Sequence, residues 1–328
     1  MIVVTGGAGF IGSALVHALN RRGCTDICVV DIEDHPEKKN NLAALKLSRL
    51  VSPDAFLNQV LAGSLKGVDT VFHLGACSST TETDVDFLTR NNFQYTQHLA
   101  RYCLERDIRF IYASSAATYG DGRQGYSDDV SRLATFKPLN PYGQSKQDFD
   151  MWAQQEGVLG RIVGLKYFNV FGPNEYHKED MRSMVLKGYE QILDTGKIRL
   201  FKSYRNEYGD GEQVRDFIYV QDAVAMTLFF HDHPEINGLF NVGSGQARCW
   251  NDLAAALFGA MNREPEIEYI EMPESIRDQY QYHTCAEMDK IHKAGYTHPV
   301  LSLEDAVSDY VNQYLIPGKH LGDSPGII

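Results

Sequence analysis

A short apolar run leads directly into a glycine-rich turn: Met1-Ile2-Val3-Val4-Thr5 is followed by Gly6-Gly7-Ala8-Gly9-Phe10-Ile11-Gly12. Glycines at every third position, between a β-branched run and an amphipathic stretch, predict a β-turn-α unit. In this reading Gly6 permits the tight turn, Gly9 lets the backbone approach a pyrophosphate, and Gly12 lets the helix pack closely on the sheet. The free N–H groups and partial positive charge at the start of the helix suit phosphate groups. Asp31 ends the next apolar run, about 20 residues on, where a ribose-binding carboxylate belongs. Ile32 follows it. Lys38 and Lys39 stand close enough to neutralise a 2′-phosphate, so the motif leaves both NAD and NADP open.

The pattern after the turn alternates. Residues 2–4, 27–30, 70–74, 110–113 and 162–167 read as buried parallel strands. Between them, 11–22, a segment near 54–61, 85–106 and 142–155 read as helices. This alternation predicts an α/β fold with a Rossmann-type doubly wound parallel sheet. The later half is less regular. Helices are expected at 181–193, 222–231, 251–260 and 303–314, short strands at 200–201 and 217–220, and a polar surface loop at 202–211. The expected organisation is a dinucleotide-binding domain over 1–168, with 215–243 returning to it, and a smaller α/β substrate domain over 169–316. A loose tail is expected at 317–328.

Composition narrows the function classes. A formal charge of −12 argues against a nucleic-acid binder, which needs a basic face. No apolar run approaches the roughly 20 residues that span a bilayer. The N-terminus has no basic leader or cleavage site, so the expected location is cytoplasmic. Cysteines stand at 24, 28, 77, 103, 249 and 285 without metal-ligand spacing, and read as reduced thiols. His231 and His233 flank one residue beside Pro234, which reads as a surface turn. No metal is expected.

Tyr142-Gly-Gln-Ser-Lys146 sets two side chains one helical turn apart on one face. With 18 tyrosines such a pattern arises about once by chance, so its context carries the weight. It follows Asn140-Pro141 and lies downstream of a strand ending Tyr112-Ala-Ser114-Ser115-Ala116. Hydride removal from a carbinol carbon needs a base for the hydroxyl proton. A free tyrosine is too weakly ionised, and a nearby lysine and the nicotinamide charge both favour the phenolate. Tyr142 is then the base, Ser115 orients the substrate oxygen, and Lys146 also holds the nicotinamide ribose.

With the glycine turn and Ser114-Ser115-Ala116, this pair resembles the extended short-chain dehydrogenase/reductases that act on nucleotide-sugars. Gly75-Ala-Cys-Ser-Ser-Thr-Thr-Glu82, Asn91-Asn-Phe-Gln-Tyr95, Tyr167-Phe-Asn-Val-Phe-Gly-Pro173, Glu175-Tyr-His-Lys178, Arg215-Asp-Phe-Ile-Tyr-Val220 and Asn241-Val-Gly-Ser-Gly245 are similar to the ADP-L-glycero-D-manno-heptose 6-epimerases, enzymes of lipopolysaccharide core synthesis. The resemblance implies inversion of C6 of an ADP-heptose through a keto intermediate, with NADP as cofactor and a homo-oligomeric state. It implies Tyr142 and Lys178 as the two acid/base groups, because the hydroxyl occupies two places during an inversion. It assigns Gly6, Gly9, Phe10, Ile11, Gly12, Asp31, Ile32, Lys38, Leu74, Gly75, Ala76, Cys77, Ser78, Asn91, Lys146, Val170 and Lys178 to the cofactor. It assigns Ser115, Asn169, Asp180, Lys187, Phe201, Arg215 and Tyr280 to the substrate. Asp180, Lys187 and Pro53 depart from the residues common at those positions. Two rival readings stay open: a C4-epimerase of another nucleotide-sugar, and a non-catalytic NAD(P)-binding regulator. A 4,6-dehydratase is disfavoured, because Ala116-Ala117-Thr118 stands where its acidic pair would be.

Overall fold

The structure, a computed structural model, describes residues 1–33, 35–277 and 280–323. Its first sheet contains β1 (Ile2–Thr5), β2 (Ile27–Val30), β3 (Arg49–Val51), β4 (Thr70–His73), β5 (Arg109–Ser115) and β6 (Val163–Tyr167). Two further strands follow β6 in sequence, β7 (Asn169–Phe171) and β8 (Ile198–Phe201), and then β9 (Val214–Tyr219) and β10 (Gly238–Val242). Of these, β10 returns to the first sheet, giving the order β10-β6-β5-β4-β1-β2-β3 with every pairing parallel. This is the doubly wound sheet expected from the alternation. Val3, Val4, Phe72, Phe110, Ile111, Leu165 and Leu239 are fully buried, as strands covered on both faces require. Strand order reverses between β1 and β4, and the crevice of such a sheet opens there.

Two elements of the first half were not expected. β3 carries the pattern Arg-Leu-Val with its first two residues exposed, so it gives no apolar run to read. The helix Pro36–Ala43 buries only Asn41 and Leu42 and has almost no apolar stripe. The helix expected over 85–106 is continuous but not uniform. A π-helical turn, Thr89–Gln94, separates the α-helical pieces Val85–Leu88 and Tyr95–Glu105. Such turns push side chains out of helical register, here at Asn91 and Asn92.

The remaining strands form small sheets. β9 pairs in parallel with β7 and antiparallel with β11 (Ala247–Cys249). β8 pairs in parallel with β12 (Ile267–Ile270). The helices Met184–Thr195, Trp250–Ala260 and Leu303–Asp309 belong to this half, each buried along one apolar face. Ser183 and Ser302 cap two of them by accepting from Leu186 N and Asp305 N.

The tail expectation needs correcting over 317–323. Tyr176 donates to Lys319 O at 2.9 Å, Leu321 N donates to Asn174 Oδ1 at 2.9 Å, and His320 Nε2 lies 3.0 Å from Glu37. Leu321 is buried. Glycine and proline content signalled a free chain, but two backbone hydrogen bonds and one leucine are enough to dock it. Residues 324–328 of that expectation lie outside the described residues. Among the described residues no helix is long and apolar enough to cross a membrane.

Candidate active site

At the carboxyl edge of the first sheet lies a cavity of about 970 Å³, the size of a cofactor-and-substrate cleft. The glycine turn forms its floor. Gly6 has φ +68°, and a Cβ there would stand 2.7 Å from Gly75 N. A Cβ on Gly12 would stand 2.0 Å from Gly6 O. Gly12 therefore closes the turn on itself. The tight packing on the sheet that was expected of it belongs to Gly7, whose Cβ would stand 2.9 Å from Val29 Cγ1. Gly9 begins the helix Phe10–Arg21 without a side-chain cap, which leaves the first N–H groups of the helix for a ligand.

Asp31 is tied into this turn. Its Oδ2 accepts from Ala8 N at 2.9 Å and its Oδ1 from Ile32 N at 2.7 Å. Lys38 Nζ stands 3.3 Å from Oδ1 and donates to Ile32 O at 3.1 Å. A cradle without side chains, free N–H groups and a carboxylate–lysine pair at the end of β2 together fit a nicotinamide dinucleotide. The other expected cofactor residues, Phe10, Ile11, Leu74, Gly75, Ala76, Cys77, Ser78, Asn91 and Val170, all border the same cavity. The π turn fixes part of this wall. Asn92 accepts from Cys77 N and donates to Cys77 O, both at 2.9 Å, and reaches Ser145 Oγ at 3.0 Å.

Asn140 and Pro141 start the helix Pro141–Gln155, with Asn140 accepting from Gly143 N at 2.8 Å. Tyr142 and Lys146 follow one turn apart, and both border the cavity with Ser115. Lys146 Nζ donates to Ala113 O at 2.8 Å. Burial pushes Lys146 down to about 8, against the pull of Asp150 and Cys77. The expected help to the phenolate combined a lysine with the nicotinamide charge, and in the protein alone the phenol lies above its usual value. Burial raises the Tyr142 pKa, a hydrogen bond from Ser115 opposes this, and Cys77 adds to the rise. Desolvation of the charged form outweighs its partners here.

Beneath this face sits a fully buried ion pair, Lys166 Nζ to Asp150 Oδ2 at 2.7 Å. Asp150 also accepts from Tyr112 at 2.8 Å and from Ser114 at 2.7 Å, and Lys166 donates to Thr118 at 2.6 Å. A buried pair is tolerable only when its remaining donors and acceptors are matched, and these are. The network joins β5 and β6 to the helix that carries Tyr142 and Lys146.

His73, at the end of β4, was not anticipated at this site. It lies between Thr5 Oγ1 at 2.7 Å and Thr96 Oγ1 at 2.8 Å. Burial, with Lys146 adding to it, pushes its pKa from 6.5 down to about 3. The unfolded chain therefore binds a proton that the folded chain refuses. The stability contribution is complete above 6.5 and is lost progressively as pH falls toward about 3. Acidification from pH 7 to pH 5 is expected to cost about 2 kcal/mol at this residue alone. Urea midpoints at the two pH values measure it, and His73→Gln should flatten the difference. An unchanged acid slope in that variant would show that His73 is not the group responsible.

Lys178 lies in the 3₁₀ segment Tyr176–Met181, with Nζ 5.2 Å from the centroid of the Phe10 ring. Its pKa is lowered, first by burial and then by Lys187, while Glu175 opposes the shift. Glu175 is fully buried and accepts from Ser183 Oγ at 2.7 Å and Ser183 N at 2.5 Å, so it staples both ends of this segment. Glu179, next to Lys178, has φ +45°, a costly conformation for a residue with a side chain.

Among the expected substrate residues, Asn169 and Asp180 border the cavity, but Lys187, Phe201, Arg215 and Tyr280 do not. Lys187 donates to the Asp180 carbonyl and acts on Lys178 through its charge. Arg215 is buried between rings, 5.0 Å from Tyr280 and 5.5 Å from Trp250, and Phe201 packs edge-on against Tyr280 at 6.1 Å. Among the described residues Arg215 has no carboxylate partner. Trp250 borders the cavity and donates to Tyr280 OH at 2.9 Å, so it joins this cluster to the cleft. Sequence reading gave Trp250 no part, because only the pairing of β9 with β11 brings residue 250 beside residue 215. His177 was also passed over, although it stood in a motif already singled out. The loop at 202–211 is pinned through Arg205, whose guanidinium lies 4.4 Å from the Tyr282 ring. Neither histidine of the 231/233 pair faces the other in a ligand set: His231 Nδ1 lies 3.3 Å from Thr70 Oγ1, and His233 Nδ1 3.2 Å from Glu235.

The sequence pattern of the NAD dependent epimerase/dehydratase family matches residues 2–243. An ADP-L-glycero-D-manno-heptose-6-epimerase of Nitratidesulfovibrio vulgaris (strain DP4) is 54% identical over 316 residues, covering 96% of this chain and 98% of the relative. The crystal structure of the Helicobacter pylori enzyme of that name superposes with a TM-score of 0.80 at 28% identity, covering 95% of each chain. The UDP-glucuronic acid 4-epimerase of Bacillus cereus, in complex with NAD, superposes with a TM-score of 0.75 at 25% identity, covering 95% of this chain and 98% of that one.

Proposed function

This chain belongs to the NAD dependent epimerase/dehydratase family, and from that premise we propose that it inverts C6 of the heptose in ADP-D-glycero-D-manno-heptose, using NADP. The observation that carries this reading is a pair of acid/base groups on separate elements, Tyr142 and Lys178, facing one cavity. An inversion by oxidation and re-reduction presents the hydroxyl oxygen in two positions, and one side chain does not serve both.

Bound on the glycine turn, the nicotinamide would supply a hydride acceptor and donor. The chain does the rest. Ser115 holds the sugar oxygen, Tyr142 exchanges its proton in one pose, and Lys178 does so in the other. Lys178 suits the task because burial and Lys187 favour its neutral form. Arg215, buried with no carboxylate partner among the described residues, suits the substrate diphosphate, which its planar fork can grip at two oxygens. Tyr280, Phe201 and Trp250 would flank the nucleotide. Asn169 and Asp180 would meet the sugar. Lys38 favours NADP, because both Asp31 oxygens are already hydrogen-bonded and a cation stands beside them.

Incubating the protein and NADP with ADP-D-glycero-D-manno-heptose tests this, with the sugar followed by NMR. The expected result is accumulation of the C6 epimer until the two forms equilibrate. Inversion at C4 of a UDP-sugar with no action on the heptose would replace this reading with the rival epimerase. No change in either sugar, with dinucleotide bound, would favour a regulator.

A further inference from the structure

His177 stands over the glycine turn. A Cβ built on Gly9 would lie 4.0 Å from its Nε2. The opposite edge of the ring faces the amide of Asn41. Nδ1 lies 3.4 Å from Asn41 Nδ2, whose two hydrogens already go to the carbonyls of Ala8 and Asn174, each at 3.0 Å. Asn41 has no third hydrogen to offer, and the ring bonds instead to the backbone of Asn174. With the single proton of the neutral ring on Nδ1, toward that edge, the Nε2 lone pair faces the turn. A lone pair facing a phosphate oxygen is repulsive, whereas a proton there makes a charge-assisted hydrogen bond.

We propose that His177 Nε2 is a ligand of the diphosphate held by the glycine turn, and that it takes up a proton when the diphosphate binds. The charged groups around it agree. Lys38 faces it from the helix Pro36–Ala43, His35 from the cap of that helix, and Lys178 from its own segment. Burial, with Lys38 and Lys178 adding to it, lowers the ring to about 4 in the ligand-free protein. An anion among them removes their penalty. The inference rests on the reading of the turn as a dinucleotide site.

ADP-ribose is the suitable probe. It carries the adenosine and the diphosphate but no nicotinamide charge, so it does not act on Tyr142. Calorimetric titration into the nucleotide-free full-length chain at pH 7, in buffers of low and high ionisation enthalpy, gives the protons exchanged. Wild type is expected to take up a proton fraction that His177→Gln does not, and the variant should bind about tenfold more weakly. Equal proton exchange by the two proteins overturns the proposal. A pH series on wild type needs no variant: affinity should rise as pH falls from 8 to 6, and a flat or opposite dependence overturns the proposal. A wild-type chain that binds neither ADP-ribose nor its 2′-phosphate derivative overturns the dinucleotide reading along with it.

Discussion

Tyr142→Phe is expected to lower kcat for the epimerisation roughly 10²–10⁴-fold, with KM and dinucleotide affinity changed by no more than about threefold. The ring is packed at the start of the helix Pro141–Gln155, and phenylalanine keeps that packing. Only the hydroxyl is lost, and with it the hydrogen bond to Ser115 and the proton acceptor. Its environment sets a second expectation. Burial raises the phenol, so the base form is scarce until ligands change the balance, and wild-type activity should climb with pH. Lys146, near 8, stands on the same helix face as a buried cation able to favour the phenolate. The residual activity of Tyr142→Phe should climb less steeply, because only the Lys178 contribution is left. Turnover within tenfold of wild type, with the same pH profile, would remove Tyr142 from the proton-transfer step.

What could be read in the sequence follows a physical rule. Features that rest on backbone geometry or on neighbours within one helical turn were legible. Gly6 must take φ +68°, and Gly12 has no room for a Cβ, so their spacing is imposed by the turn itself. Tyr142 and Lys146 share a helix face whose start Asn140 and Pro141 announce. Features made by distant segments were not legible. Trp250 joins Tyr280 and Arg215 only because three separate segments meet. The docking of Lys319–Leu321 depends on Asn174 and Tyr176, far away in the chain. Burial at Tyr142 was not legible, because proximity of a lysine can be read from spacing, whereas the depth of the site cannot. At Lys178 the sequence supplied the residue and, through the resemblance, its role as an acid/base group. The structure supplied the lowered pKa and its cause, burial first and Lys187 second, and gave Lys187 a role other than substrate contact.

Lys178 is also the residue at which two chemistries compete, and a pair of variants separates them. Its ammonium group could act as an anion ligand, since the segment borders the phosphate cradle and Nζ lies over Phe10. Its amine could act as the second base, which requires the neutral form. Lys178→Met removes both functions and is expected to lower epimerisation about 10²–10⁴-fold. Lys178→Arg keeps the cation and abolishes the base, because a guanidinium does not deprotonate in this range. If the amine exchanges the proton, arginine is as inactive as methionine, although dinucleotide affinity stays near wild type. The lysine enzyme then gains more activity with rising pH than either variant, because the amine deprotonates in addition to Tyr142. If the charge is what matters, arginine restores turnover and methionine weakens binding instead. Both variants keep Glu175, Ser183 and the hydrogen bonds that hold the segment closed, so a loss of fold does not account for either result. Turnover by Lys178→Arg within a few-fold of wild type would leave Lys178 to the anion site and require the second base to be sought elsewhere along the cavity wall.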